Sequence, residues 1–315
     1  MDEKVLITGG AGFIGSYLVD RLVGEGKEVV VYDNLSSGKE EFLSDLLKDD
    51  KIEFVDNDLL DKSELDESMK GVSEVWHLAA NPDVRMGSSD TKVHLEQNII
   101  ATHNLLEAMR KNGVGFIAFT STSTVYGEAK VIPTPEDYGP LKPISLYGAS
   151  KLAAEALITS YCYTFDMEAV HYRFANVIGG RSTHGVIFDF VAKLEKNPHD
   201  LEILGDGKQC KSYFHIDDCI DGMLFGSKNR KERVEIFNIG SDDMITVTEL
   251  ANIVVDGMAS GDVEFSYTGG VDGGRGWKGD VKVMQLSIGK LKGLGWSPRY
   301  NSSDAVRKTV EEIGK

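Results

Sequence analysis

Short apolar runs alternate with segments of helical period along the first half of the chain. Lys4–Thr8 reads as a buried strand, and Thr8-Gly9-Gly10-Ala11-Gly12-Phe13-Ile14-Gly15 follows it directly. Phe13, Ile14, Tyr17, Leu18, Leu22 and Val23 then recur at helix spacing. Further strands are predicted at Glu28–Asp33, 52–55, 75–78 and 116–120, with a long helix over about 92–110. A second helical pattern opens at Tyr147 and runs through Leu152, Ala153, Ala156, Leu157 and Tyr161. Strands alternating with helices predict a parallel, doubly wound sheet whose ligands sit beyond the carboxyl ends of its strands. Asp58, Ala79, Ala80 and Ser121 fall at such ends.

The second half has a different texture. A strand closes over 171–181, a helix is predicted over 185–194, and Leu204-Gly205-Asp206-Gly207-Lys208-Gln209-Cys210-Lys211-Ser212 reads as a polar turn. Phe237-Asn238-Ile239-Gly240 ends a late strand, and Thr246-Val247-Thr248-Glu249 has the spacing of a capping box. Glycine-rich loops follow at 268–270 and 273–280. Neither a repeat nor a linker separates the halves. The expected fold class is α/β, a Rossmann-type doubly wound parallel sheet with a smaller mixed α/β domain woven back into it.

Composition narrows the function. The 315 residues suffice for one large or two closely joined domains, and 41% hydrophobic with 27% charged residues is ordinary globular composition. No apolar run is long enough to span a bilayer, and the start Met1-Asp2-Glu3-Lys4 lacks a cationic signal region, so a cytoplasmic protein without membrane partners is expected. A net charge of -16 argues against nucleic acid as a partner and requires that any anionic substrate be met by a few gathered cations. Cys162, Cys210 and Cys219 show no metal spacing and read as reduced thiols; no metal is expected.

Four stretches carry candidate chemistry. The glycine turn between strand and helix permits close backbone approach, and the helix N-terminus offers N–H groups to a pyrophosphate. Asp33 ends the next strand eighteen residues beyond Gly15, where a carboxylate accepts from adenosine ribose hydroxyls and repels a 2′-phosphate. That favours NAD over NADP, although an acid there also caps the turn Asn34-Leu35-Ser36-Ser37-Gly38. Tyr147-Gly148-Ala149-Ser150-Lys151 places a phenol and an ammonium one helical turn apart. The cation draws the phenol, which ordinarily titrates near about 10, toward neutral working conditions, where it serves as a base. Thr120-Ser121-Thr122-Ser123-Thr124 is a hydroxyl cluster at a strand end, suited to hydrogen-bonding an alcohol or, alternatively, to forming a turn.

Taken in order, these motifs resemble the extended short-chain dehydrogenase/reductase family, and within it the UDP-glucose 4-epimerases (UDP-galactose 4-epimerases) of the archaeal and bacterial nucleotide-sugar branch. The match continues through Asp58-Leu59, His77-Leu78-Ala79-Ala80, Val125-Tyr126-Gly127, Arg173-Phe174-Ala175-Asn176, Gly205-Asp206-Gly207, His215-Ile216-Asp217-Asp218, Gly279-Asp280-Val281 and Leu294-Gly295-Trp296. The resemblance implies tightly held NAD, a UDP-sugar substrate and a homodimer. It implies an NAD-binding domain of residues 1–175 and 213–240 and a UDP-sugar-binding domain of residues 176–212 and 241–315. Tyr147 is implied as the acid-base group, Lys151 as the cation that depresses its pKa and binds nicotinamide ribose, and Thr122 as the hydroxyl that bridges the sugar and the tyrosine.

Cofactor contacts are implied at Gly9, Gly12, Phe13, Ile14, Gly15, Asp33, Asn34, Ser36, Ser37, Gly38, Asp58, Leu59, Leu78, Ala79, Ala80, Asn98, Ser121, Tyr147, Lys151 and Phe174. Substrate contacts are implied at Thr122, Ser123, Thr124, Tyr147, Asn176, Lys211, Arg275 and Asp280. Family members that dehydrate or decarboxylate after the same oxidation carry an acid just after the matching Ser or Thr, where this chain has Ser123 and Thr124. The family's diphosphate-binding Arg is replaced by Lys211, which keeps the charge and loses the bidentate fork. Arg275 lies five residues before Asp280 where the family usually has three. Epimerisation of UDP-galactose and UDP-glucose is the expected activity. Action on UDP-N-acetylhexosamine or UDP-glucuronate, and a non-catalytic NAD-binding scaffold, are the alternatives.

Overall fold

The structure, a computed structural model, describes residues 3–258 and 261–314; Met1 and Asp2, part of the start read above, lie outside the described residues. The described residues divide into two compact units: one within 1–121, 146–172 and 226–236, the other within 122–145, 173–225 and 237–315. No helix among the described residues is long and apolar enough to cross a membrane.

The first unit carries β1 (Lys4–Thr8), α1 (Phe13–Gly24), β2 (Glu28–Asp33), α2 (Ser44–Lys48), β3 (Ile52–Asp56), α3 (Lys62–Ser68), β4 (Val72–His77), α4 (Ala101–Asn112), β5 (Phe116–Thr122) as far as Ser121, α5 (Leu146–Phe165) and β6 (Glu168–Phe174) as far as Tyr172. A seven-stranded sheet runs in the order Val234–Ile239, β6, β5, β4, β1, β2, β3. β1 lies parallel to both β2 and β4, β2 to β3, and β4 to β5. The order reverses between β1 and β4, which makes their carboxyl ends the crevice where such sheets hold ligands. The strands are near-continuous apolar runs because helices cover both faces: Val5, Leu6, Ile7, Val30 and Val31 are fully buried.

One element differs in kind from the sequence pattern. The helix expected over 92–110 is a π segment at Leu95–Ile100 leading into α4. Thr102 Oγ1 donates to the Asn98 carbonyl at 2.6 Å, so a side chain satisfies a carbonyl within the wider turn.

The second unit is built from short pieces. Asn176–Ile178 pairs in parallel with Tyr213–His215, and Asp200–Ile203 with Glu264–Tyr267. Cys210–Lys211 is a strand between Ile245–Thr246 and Val283–Met284, so the stretch read as a polar turn ends in a central strand. Leu250, Ala251, Val254, Ala305 and Val306 from two helices pack with Leu201 and Ile203 in one core. The helix Val247–Gly257 starts at the expected capping box: Thr246 Oγ1 accepts from Glu249 N at 3.1 Å and Glu249 Oε2 accepts from Thr246 N at 2.7 Å.

Candidate active site

The glycine turn after β1 is packed so tightly that side chains are excluded. A Cβ on Gly15 would lie 2.1 Å from the Gly9 carbonyl oxygen, and one on Gly9 would lie 2.6 Å from the backbone nitrogen of Ala79, just past β4. Gly9 also has a φ of 72°, a left-handed conformation that glycine adopts without strain. Gly12 is the N-cap of α1 and no side chain caps it, so first-turn N–H groups stay available for an anion. Phe13 and Ile14, in that first turn, are half-buried.

Asp33 closes the cradle from β2. Its carboxylate accepts from Ala11 N and Leu35 N, each at 2.9 Å, and so both fixes the turn and stands over the glycines. Burial raises its pKa, opposed by those two N–H donors. Gly38 is held beside Ala11, with Lys39 N donating to the Ala11 carbonyl at 2.9 Å; Ser36 and Ser37 between them are exposed. Asn34 Nδ2 donates to Asp58 Oδ2 at 2.8 Å, and Leu59 turns into the core. Leu78, Ala79 and Ala80 lie half-buried at the end of β4.

Behind the cradle, His77 is fully enclosed and bridges two threonines, Thr8 Oγ1 at 2.7 Å and Thr102 Oγ1 at 2.9 Å. Burial, with the Lys151 charge adding to it, lowers its pKa to about 3, so the imidazole is neutral.

Tyr147 and Lys151 sit in the first turns of α5. Lys151 is 3% exposed, its ammonium 4.5 Å from the centre of the Phe119 ring. Desolvation lowers its pKa to about 7, and the Glu155 carboxylate acts against that fall. The Tyr147 ring meets the edge of buried His94, centroids 5.8 Å apart. Asn98, from the π segment, accepts from Asn81 N at 2.8 Å and donates to Ser150 Oγ at 2.9 Å; Ser150 Oγ in turn donates to the Tyr147 carbonyl at 2.8 Å. Ser121 gives its hydroxyl to Glu155 at 2.5 Å.

In the second unit, Thr122 Oγ1 lies 3.1 Å from Thr124 Oγ1 and accepts from Thr124 N, in a short turn that also holds half-buried Ser123. Phe174 packs on Phe214 at 6.2 Å. The Asn176 amide donates to the Ser212 carbonyl at 2.9 Å. Lys211, Arg275 and Asp280 come together: Lys211 Nζ donates to Asp280 Oδ1 at 2.6 Å, and Arg275 Nε donates to the Asp280 carbonyl at 3.0 Å. Arg275 also pairs with Glu128. Each cation of this cluster therefore faces an internal acid. Lys211 lies 5.5 Å from the Trp277 ring centre, and the buried Trp277 Nε1 has no hydrogen-bond partner.

The structure thus assembles Gly9, Gly12, Gly15, Asp33 and Gly38; Asn34 with Asp58; Tyr147 and Lys151 with Asn98; and Lys211 with Arg275 and Asp280. Three residues that the sequence reading left without a role enter these clusters: His77, His94 and Glu155. Glu155 had a signal, its place four residues after Lys151.

The fold has counterparts among solved structures. A solved structure of a UDP-galactose 4-epimerase superposes with a TM-score of 0.88 at 42% identity, covering 99% of this chain and 98% of that one. A UDP-glucuronic acid 4-epimerase from Bacillus cereus, solved with UDP-glucuronic acid and NAD, superposes at 0.88 with 28% identity over 99% of both chains. A protein of Methanocaldococcus jannaschii described as a putative UDP-glucose 4-epimerase is 33% identical over 97% of each chain. The profile of the NAD dependent epimerase/dehydratase family matches residues 5–240, from β1 past the last strand of the sheet. Matched by that family model over most of its length and by a relative 33% identical over nearly all of it, this chain belongs to the NAD dependent epimerase/dehydratase family.

Proposed function

We propose that the protein is an NAD-dependent 4-epimerase that interconverts UDP-galactose and UDP-glucose. The observation that carries this reading is a pair of residues: Ser123 and Thr124 follow Thr122 where an elimination or decarboxylation needs an acid, while Tyr147 and Lys151 are both present. A 4-epimerase needs one acid-base group, because the proton removed from O4 is the proton returned.

The cradle fits NAD. Gly9 and Gly15 let the turn pack where a Cβ would clash with backbone, Gly12 opens α1 with only a tight 3.1 Å contact for a Cβ, the start of α1 offers N–H donors to the pyrophosphate, and Asp33 is placed for ribose hydroxyls. Asn34, Ser36, Ser37, Gly38 and Asp58 with Leu59 would line the adenosine side; Leu78, Ala79, Ala80, Asn98, Ser121 and Phe174 complete the proposed contacts. Bound NAD supplies the acceptor, and then the donor, of a hydride at sugar C4.

Tyr147 takes the 4-hydroxyl proton onto its phenolate oxygen and returns it to O4 after the 4-keto sugar has turned over. Lys151, as ammonium, holds the phenolate form of Tyr147. Thr122, with Ser123 and Thr124 beside it, orients the 4-hydroxyl. Asn176, Lys211 and Arg275 hold the UDP portion, with Asp280 fixing Lys211. The reading includes a homodimer, supported by exposed Leu95, Ile100, Tyr163 and Phe165 on the π segment and α5 and tested by light scattering.

The test is product analysis. Purified protein is incubated with UDP-galactose, with and without added NAD, and sugar nucleotides are resolved by NMR. UDP-glucose without accumulating NADH is the expected result. Absence of UDP-glucose from protein shown to hold NAD overturns the substrate assignment, and turnover of UDP-N-acetylglucosamine or UDP-glucuronate instead selects the alternatives.

A further inference from the structure

We propose that Glu155 is a positioning residue for the reaction, the buried counter-ion that keeps Lys151 in its ammonium form. This rests on the reading of Tyr147 and Lys151 as the acid-base pair.

The argument is one of register between a strand and a helix. Phe119 and Ser121 are two apart on β5 and so point to the same face of the sheet. Lys151 and Glu155 are four apart on α5 and so share one face of the helix. The two pairs meet: the Lys151 ammonium lies over the Phe119 ring at 4.5 Å, and the Glu155 carboxylate accepts from Ser121 Oγ at 2.5 Å. Lys151 is 3% and Glu155 4% exposed. An ammonium on an aromatic face, removed from water, sheds its proton unless an anion is close.

Of the ionisable groups near Lys151, Tyr147 and Glu155 stand one turn away on its own helix and His77 stands on β4. His77 is neutral and supplies no anion. Glu155 is the group that raises the Lys151 pKa against desolvation. A neutral Lys151 could neither hold a phenolate at Tyr147 nor donate as an ammonium. Glu155, two turns from Tyr147, acts on the phenol through Lys151. Ser121, expected above to meet the cofactor, acts here by fixing the carboxylate.

Glu155→Gln, Lys151→Met, the double variant and Ser121→Ala test this by kcat against pH, by Tyr147 phenolate absorbance as the difference from Tyr147→Phe, and by thermal midpoint. Glu155→Gln is expected to lower neutral kcat about tenfold or more, the equivalent of one pKa unit. The alkaline limb of its kcat profile moves to lower pH as Lys151 deprotonates earlier, and the Tyr147 phenolate appears at higher pH. Glu155→Gln added to Lys151→Met costs no further activity, because its target is already gone.

Unmoved pH limbs, or effects that simply add in the double variant, overturn the proposal. If Glu155→Gln does not fold but the double variant does, the buried charge is the cause and the proposal stands. If neither folds, Ser121→Ala decides: a limb shifted in the same direction supports it, an unmoved limb overturns it. Wild-type protein that leaves UDP-galactose unchanged removes the sugar assignment, while the phenolate titration still decides the role of Glu155.

Discussion

Asn98 and Ser150 join the π segment to the helix that carries Tyr147: Asn98 Nδ2 donates to Ser150 Oγ at 2.9 Å, and Ser150 passes the contact to the Tyr147 carbonyl. The other end of the Asn98 amide accepts from Asn81 N, just past Ala80. One side chain therefore ties the end of β4 to the first turn of α5. Asn98→Ala leaves the Asn81 N–H without its acceptor, a loss of about 1–3 kcal/mol where buried, and takes from the Ser150 hydroxyl the donor it accepts from, while that hydroxyl still donates to the Tyr147 carbonyl. The expected result is a kcat lower by about ten- to a hundredfold, the scale of a small misplacement of a reacting group. KM for the sugar nucleotide should hardly change. A raised KM at normal kcat would contradict a role in placing Tyr147.

Gly15 and Gly24 lie on one helix and make opposite demands. A Cβ at Gly15 meets the Gly9 carbonyl oxygen at 2.1 Å, whereas a Cβ at Gly24 meets nothing within 4 Å. Gly15→Ala should destabilise the protein by about 1–3 kcal/mol through overpacking and weaken NAD binding by deforming the cradle. Gly24→Ala should leave NAD affinity alone and stabilise by up to about 1 kcal/mol through reduced freedom of the unfolded chain. Thermal melts with and without NAD separate the two. Equal responses would show that the cradle is more compliant than its packing indicates.

The doubly wound sheet and its glycine turn were legible because they are local: β1, the turn and α1 follow one another within about twenty residues, and each apolar run is its own signal. The NAD dependent epimerase/dehydratase family was likewise readable from motif order. The π segment was not, because Thr102 bonding the Asn98 carbonyl looks in sequence like any threonine in a helix. Lys211 read as part of a turn because its strand is two residues long and bounded by partners far along the chain. The roles of His77 and Glu155 depend on residues of other elements, Thr8, Thr102 and Ser121, that no spacing rule connects to them.

His77 makes acid stability a measurable property of the cradle. Its folded-state pKa, lowered to about 3 by burial, lies below the ordinary value of 6.5. Between those values the unfolded chain binds a proton that the folded chain refuses, so folding stability falls as pH falls. The slope from this residue approaches about 1.4 kcal/mol per pH unit within that window and vanishes above it. His77→Gln removes the titration along with the bonds to Thr8 and Thr102. It should therefore be less stable than wild type near pH 7, with the gap narrowing as pH drops toward 4. Urea titrations of both proteins across that range check this, and a constant gap would place a protonated imidazole in the folded state.

Lys211 and Asp280 set how the second unit answers an anion. Asp280 is buried and its carboxylate also accepts from Gly276 N at 3.2 Å, so it is fixed from two sides. Removing one member of such a pair costs about 3–5 kcal/mol, because the remaining charge is left without compensation. Asp280→Asn should therefore melt well below wild type, and Lys211→Met with Asp280→Asn should recover part of the loss. The stranded Lys211 of Asp280→Asn gains a counter-ion again when a diphosphate binds beside it. Saturating UDP should then raise the melting temperature of Asp280→Asn by more than it raises that of wild type, and by least in Lys211→Met. Identical shifts in all three would mean that Lys211 and Asp280 serve folding alone, and that Arg275 meets the diphosphate without them.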